Sequence, residues 1–147
     1  MAGNPHWSEA DAATIIASRA GEKGAMLPIL HDLQARFGYI DDAAVPLIAS
    51  ALNISRAEVV GVISFYHDFR RAPVQGRVLK LCRAESCQAA GCDALATHLQ
   101  QRHAGLHVET VYCLGHCAVS PAAMLDDEPL ALLTPERLDA ALAEAGL

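Results

Sequence analysis

The residues of this chain best suited to chemistry are its cysteines. Cys82, Cys87, Cys92, Cys113 and Cys117 all fall within one 36-residue window of a 147-residue sequence, and the 81 residues before it contain none. Four of them form two pairs: Cys82 and Cys87 are five apart, and Cys113 and Cys117 are four apart. Each pair follows a segment that reads as a β-strand. If those strands are parallel neighbours joined by a right-handed crossover helix, their C-terminal ends lie side by side and four thiolates meet. Four thiolates are the usual ligands of a 2Fe-2S cluster, whereas structural zinc sites typically use tighter C-x2-C pairs. The spacing therefore favours iron-sulfur over zinc, and it differs from the plant-type ferredoxin order of C-x4-C-x2-C. Gly115, inside the second pair, lets the backbone bend toward sulfur and offers amide donors to a negatively charged cluster. The plainer alternative is a set of small buried thiols. A redox dithiol has little support without a C-x2-C motif, and an odd cysteine count without an export signal argues against a disulfide framework.

Cys92 competes as a ligand, because it lies as far from Cys87 as Cys87 lies from Cys82. However, Cys92, Leu95, Ala96 and Leu99 fall at i, i+3, i+4 and i+7, which places Cys92 on the buried face of a helix as a structural residue. His116, next to Cys117, is either a tuning or ligating group or a solvated loop histidine, the last being the plainer reading. The two-histidine motif of a Rieske centre is absent, since only one histidine, His116, lies within either cysteine loop. Arg77, Lys80 and Arg83 form a modest basic group that either offsets cluster charge and meets a partner or is ordinary surface. Asp126 to Glu128 reads as a solvated turn. His31, His67, His98, His103 and His107 show no metal-like spacing and receive no role.

The elements that must position these residues divide the chain into two unlike halves. Residues 1–75 read as a helical bundle suited to partner docking. Ser8 caps a helix from Glu9 to Ala20, and Pro28 opens a second that runs to Phe37 before Gly38. A third spans about Ala43 to Leu52, and Ser55 with Glu58 forms an S-x-x-E capping box for a fourth. Arg70 to Gly76 reads as a linker. In residues 76–147 the pattern changes to a strand from Val78 to Leu81, a helix from Ala90 to His103 and a strand from Leu106 to Tyr112. A hairpin pairs Ala122–Leu125 with Leu130–Leu133 around Asp126-Asp-Glu-Pro129, and Thr134 and Pro135 start a closing helix. The expected fold class is α+β: an N-terminal helical bundle followed by a thioredoxin-like α/β domain of order β-α-β-β-β-α.

Composition narrows the function. With 52% hydrophobic and 19% charged residues the chain can build a core, and its net charge of −6 disfavours general nucleic-acid binding. No apolar run, Val59 to Tyr66 included, approaches a bilayer span, and the first seven residues lack a basic-then-apolar signal, so a soluble, cytoplasmic protein without direct membrane insertion is expected. A redox-sensing helix-turn-helix regulator is the competing class, built on Leu47 to Tyr66. Its weakness is that Arg56 is the only full positive charge between Arg56 and Phe69. No dinucleotide or nucleotide fingerprint is present.

Leu27-Pro-Ile-Leu-His-Asp-Leu-Gln-Ala-Arg-Phe-Gly-Tyr-Ile40 and Ile54-Ser-Arg-Ala-Glu-Val-Val-Gly-Val-Ile-Ser-Phe-Tyr66, with Cys82, Cys87, Cys113-Leu-Gly-His-Cys117 and Pro121, resemble the thioredoxin-like 2Fe-2S subunit family. That family is shared by NADH dehydrogenase (complex I), NAD-reducing hydrogenase and NAD-dependent formate dehydrogenase, and the resemblance covers nearly the whole chain. The first loop, Cys82-Arg-Ala-Glu-Ser-Cys87-Gln, is most similar to the gamma subunit of soluble formate dehydrogenase. Its Arg-Ala-Glu-Ser stretch departs from the glycine- and threonine-rich loop of the sister complexes. The resemblance implies one 2Fe-2S cluster on Cys82, Cys87, Cys113 and Cys117, and no catalytic residue in the chain itself. It also implies docking on a flavoprotein subunit that binds FMN and NAD, within a complex whose molybdenum or tungsten catalytic subunit oxidises formate with its molybdenum cofactor. The equivalent subunit of NADH:quinone oxidoreductase or NAD-reducing hydrogenase is the alternative.

Overall fold

The computed structural model describes residues 6–147; the first five, part of the stretch searched for an export signal, lie outside the described residues. The chain separates into two compact units, one ending at Val74 and the other running from Gln75 to Leu147.

The first unit contains four helices, α1 (Glu9–Arg19), α2 (Met26–Phe37), α3 (Ala44–Leu52) and α4 (Arg56–Phe65). Local chemistry sets their ends. The Ser8 hydroxyl accepts the Asp11 N–H at the start of α1, and Gly38 closes α2 at φ +81, a backbone region that costs a side-chain-bearing residue strain. At α4 the capping box is complete: the Glu58 N–H donates to Ser55 Oγ at 3.2 Å while the Glu58 carboxylate accepts the Ser55 N–H at 2.8 Å. Ile29, Leu30, Leu33, Phe37 and Ile48 are fully buried in the bundle core. The expected linker begins later than its composition suggests. The Ile40 N–H donates to the Arg70 carbonyl at 2.7 Å, Gln34 bonds the backbone of both Asp68 and Arg70, and Arg71 pairs with Asp42, so the chain stays fastened to the bundle through Arg71.

The second unit is a four-stranded mixed sheet of order β2-β1-β3-β4, formed by β1 (Val78–Cys82), β2 (His107–Val111), β3 (Ala123–Leu125) and β4 (Glu128–Leu130). β1 and β2 are parallel with Cys82 opposite Val111, whereas β3 runs antiparallel to both β1 and β4. Leu79 and Leu81 of β1 pack with Leu95 and Leu99 of α6 (Cys92–Arg102) and with Leu138 and Leu142 of α7 (Pro135–Glu144). Thr134 caps α7 by accepting the Arg137 N–H, with Pro135 in the first helical position.

Two expectations need correction. The single helix expected from Ala90 to His103 is preceded by a further short one, α5 (Glu85–Ala89), because Gly91 at φ +95 breaks the helical path between them. The thioredoxin-like unit thus carries one helix more than β-α-β-β-β-α, and Cys87 lies within a helical turn rather than an open loop. The hairpin turn is also tighter. Asp126 at φ +52 reverses the chain, so Glu128 and Pro129 belong to β4; that strand lies at the sheet edge, where proline's missing N–H is tolerated.

Candidate metal centre

The parallel pairing of β1 and β2 brings the two cysteine segments to one end of the sheet. Cys82 is the last residue of β1, and Cys87 follows within α5; both are buried. Cys113 and Cys117 follow β2 and are exposed. The Cys113 and Cys117 sulfurs are 3.6 Å apart, and Cys82 and Cys87 pack together. All four thiols sense one another electrostatically at Cys117.

The loop backbone is shaped around sulfur. Cys113 adopts φ +79, an uncommon conformation for a residue with a Cβ, and Gly115 follows at φ +80. The backbone N–H groups of Ala84, Cys113 and Leu114 favour the Cys82 thiolate, and the Gly115 N–H donates to Cys113 Sγ at 3.3 Å. Burial pushes the Cys82 thiol up. The three backbone donors and Cys87 outweigh it and hold its pKa below the ordinary thiol value, because N–H dipoles favour the thiolate. The Cys117 thiol is raised instead, first by its hydrogen bond with Cys113 and then by the charges of the other thiols. Four thiols gathered at one end of the sheet, with N–H groups that favour the thiolate at Cys82, have the chemistry to receive a cationic metal centre.

A single zinc and a binuclear centre ask for different sulfur arrangements. Four sulfurs 2.3 Å from one tetrahedral zinc stand about 3.8 Å from each other. Among the described residues no three cysteine sulfurs lie within 4.8 Å of one another. The set is two pairs rather than one tight cage, and two pairs suit a binuclear centre in which each metal takes one pair.

Cys92 is fully buried as the first residue of α6, on the face that carries Leu95 and Leu99, and packs with Cys82, Cys87 and Ala122. Burial, followed by the charge of Asp93, raises its pKa, so it stays a neutral thiol. His116 is half-buried at the start of a short 3-10 turn, Cys117–Val119. Arg77 and Arg83 pair locally with Asp126 at 2.7 Å and Asp93 at 2.5 Å, which spends much of the basic group inside the unit.

Two groups went unread in the sequence. The Ser86 and Ser120 hydroxyls lie 2.9 Å apart, each within 3.0 Å of the Cys117 carbonyl oxygen, and the Cys87 thiol donates to Ser120 at 3.5 Å. They tie the first cysteine segment to the second, and only the position of Ser86 between Cys82 and Cys87 hints at this. Likewise, His98, His103 and Asp139 come together although the histidine spacing assigned them nothing.

Comparison with known proteins adds an independent finding. The thioredoxin-like [2Fe-2S] ferredoxin family profile matches residues 12–146. NADH-quinone oxidoreductase subunit 2 of Thermus thermophilus is 32% identical over 134 residues, 84% of this chain and 74% of that protein. NADP-reducing hydrogenase subunit HndA of Solidesulfovibrio fructosivorans is 25% identical over 88% of this chain and 81% of its own length. Among solved structures, the NAD+-reducing [NiFe]-hydrogenase in the H2-reduced state superposes with a TM-score of 0.67 at 25% identity. That match covers 81% of this chain but only 22% of the hydrogenase chain.

Proposed function

The chain belongs to the thioredoxin-like [2Fe-2S] ferredoxin family, and on that premise we propose that it is the electron-transfer subunit of a multi-subunit NAD-linked oxidoreductase, most specifically a formate dehydrogenase. The observation that carries the reading is the convergence of the two cysteine pairs at the shared end of β1 and β2, where Cys82 lies opposite Val111 and the Cys113 and Cys117 sulfurs are 3.6 Å apart. In this reading Cys82, Cys87, Cys113 and Cys117 hold the cluster and Cys92 supports them from beneath. Bound there, a 2Fe-2S cluster supplies a one-electron couple. The chain's own contribution is to favour the Cys82 thiolate and to donate N–H bonds, such as that of Gly115 to Cys113 Sγ, that lower the electron density on sulfur and so tune the potential. Cys113, Cys117 and the 76%-exposed Tyr112 leave one side of the site open to an electron-exchange partner.

The relatives are named as subunits of NADH-quinone oxidoreductase and NADP-reducing hydrogenase, which supports a flavoprotein neighbour carrying FMN and the NAD site. Exposed Val60, Phe65 and Tyr66 on and after α4 provide an apolar face for subunit docking. No single described helix is long and apolar enough to cross a membrane; α3 and α4 pass that test only as a pair, bent by 115°. The formate reading rests on the Arg83-Ala-Glu-Ser86 stretch of the first cysteine segment. It places a molybdenum or tungsten subunit, with its molybdenum cofactor, elsewhere in a cytoplasmic complex.

The test is co-expression with the neighbouring subunits. The purified complex should contain this chain with two irons and two acid-labile sulfides, give a reduced-state EPR signal and reduce NAD with formate. Zinc without sulfide would refute the cluster. Hydrogen-driven NAD reduction, or NADH oxidation by quinone, would retain the cluster and refute the formate assignment.

A further inference from the structure

Away from the cysteines, the described residues contain one trio of histidine, cysteine, aspartate or glutamate donor atoms within 4.8 Å of one another: His98, His103 and Asp139. The Nε2 atoms of both imidazoles approach the same carboxylate oxygen, Asp139 Oδ1, at 2.7 and 2.9 Å. We propose that these three side chains form a second metal site, which takes one divalent cation of the zinc class and clips the end of α6 to α7.

The backbone explains how the site arises. On an unbroken helix, residues five apart point roughly 140° away from each other. His103, however, is the residue after α6, and its φ of −127° and ψ of 43° turn the chain out of the helix while its N–H still bonds the Leu99 carbonyl. Its ring therefore returns toward His98, with centroids 6.1 Å apart, and Asp139 meets both from α7. Residues 36 and 41 positions apart in the chain are thus joined at one oxygen. His98 lies six residues beyond Cys92, about 9 Å along the helix, so the trio stands apart from the cysteine site.

The chemistry is that of a borderline metal. Two imidazoles and one carboxylate leave an open position for water, and imidazole suits zinc, copper, iron and nickel over magnesium or calcium. Tetrahedral zinc with ligands at 2.0–2.1 Å sets its donor atoms about 3.4 Å apart. The observed gaps need to open by only about half an ångström, which small side-chain rotations supply. The side chains of His98, His103 and Asp139 are 16%, 20% and 34% exposed, which shelters the rings and leaves the carboxylate side accessible to an incoming ion. Glu136, on the same helix three residues before Asp139 and within electrostatic reach of His98, adds negative charge there.

The experiment uses the full chain with its iron-sulfur cluster assembled, dialysed against zinc chloride buffered by a weak chelator. Metal content should show one zinc per chain beyond the irons, and zinc-edge X-ray absorption should show two imidazoles with light-atom ligands. Asp139→Asn and His98→Gln, which keep size and hydrogen bonding, should each weaken zinc binding by at least about tenfold. They should also abolish the zinc-dependent rise in melting temperature while leaving iron and sulfide unchanged. Zinc in neither wild type nor variants, a sulfur-containing first shell, or equal binding in wild type and variants would overturn the site and leave a hydrogen-bonded helix clip. Should a variant fold poorly, the wild-type absorption spectrum decides alone.

Discussion

Replacing Cys92 and Cys117 one at a time should separate stability from cluster binding, in opposite directions. Cys92 has no exposed surface, packs with Cys82, Cys87 and Ala122, and makes only a long contact, 4.0 Å, with Asp93 Oδ1. Cys92→Ala removes one buried heavy atom, comparable to a methylene in transfer energy, and leaves a small void, a combined cost of about 1–2 kcal/mol. In a unit of this size each kcal/mol lowers the melting temperature by about 4–8 °C. Cys117 is exposed, and Cys117→Ser should change the stability of the cluster-free chain by less than about 0.5 kcal/mol. Thermal unfolding of the cluster-free chain by circular dichroism, with iron, sulfide and EPR measurements on the loaded chain, reads both properties. The expected result is a less stable Cys92→Ala that retains two irons and a normal spectrum, and an unaltered Cys117→Ser that lacks both. Loss of the cluster in Cys92→Ala at an unchanged melting temperature would refute the packing argument, as would a normal spectrum in Cys117→Ser.

Further outcomes follow from local geometry. Hydrogen bonds from the Ser55 backbone and then its side chain hold the Glu58 carboxyl below its ordinary pKa, so this contribution is complete above the unfolded value of about 4.3 and is lost as pH falls through the lower folded value. Ser55→Ala loses the pH-independent bond from the Glu58 N–H and the hydroxyl's bond to the carboxylate while the backbone bond remains, so it should cost about 1 kcal/mol at neutral pH and, in urea titrations, keep most of that deficit below about pH 4; no deficit at neutral pH would contradict the capping account. At Gly115 a Cβ would meet no atom within 4 Å, so Gly115→Ala should cost only the backbone strain of its positive φ, about 1 kcal/mol, and keep both N–H donation and cluster content; loss of iron would mean the loop tolerates no side chain. Gel-shift titration of the loaded chain with promoter DNA should show no specific, salt-sensitive binding, since Arg56 is the only cation on α4, and such binding would restore the regulator reading.

What was legible in the sequence was local or periodic. Ser8, the Ser55–Glu58 box, Gly38 and the Thr134-Pro135 start each declare a helix end through their immediate neighbours, and those ends agree within two residues. The meeting of Cys82 with Cys113 was legible because parallel strands joined by a crossover must align their C-terminal ends. α5 escaped notice because its five residues are too few for a periodic stripe and its N-cap, Ala84, offers no side-chain bond. Glu128 and Pro129 resemble turn residues until the tight reversal at Asp126 assigns them to an edge strand. The trio of His98, His103 and Asp139 depends on a departure from helix geometry at one residue and on a contact 36 residues long, and sequence spacing signals neither.

The parallel register of β1 and β2 also imposes an order in time. Each helix of the first unit closes contacts with near neighbours in sequence, a topology that forms quickly. Cys82 and Cys113 cannot face one another until 24 intervening residues, from Arg83 to Leu106, have formed the crossover that sets Cys82 opposite Val111. The donors around sulfur come from both sides of that crossover, so no partial sheet offers a finished nest. On the proposed reading a cluster would load late, once the backbone of the second unit is in place, and pulsed hydrogen exchange should show α2 to α4 protected while β2 still exchanges. Iron delivered to the nascent chain before Cys117 has been synthesised would meet an incomplete set of thiols, which makes timing of supply, as much as affinity, the condition for a correctly loaded subunit.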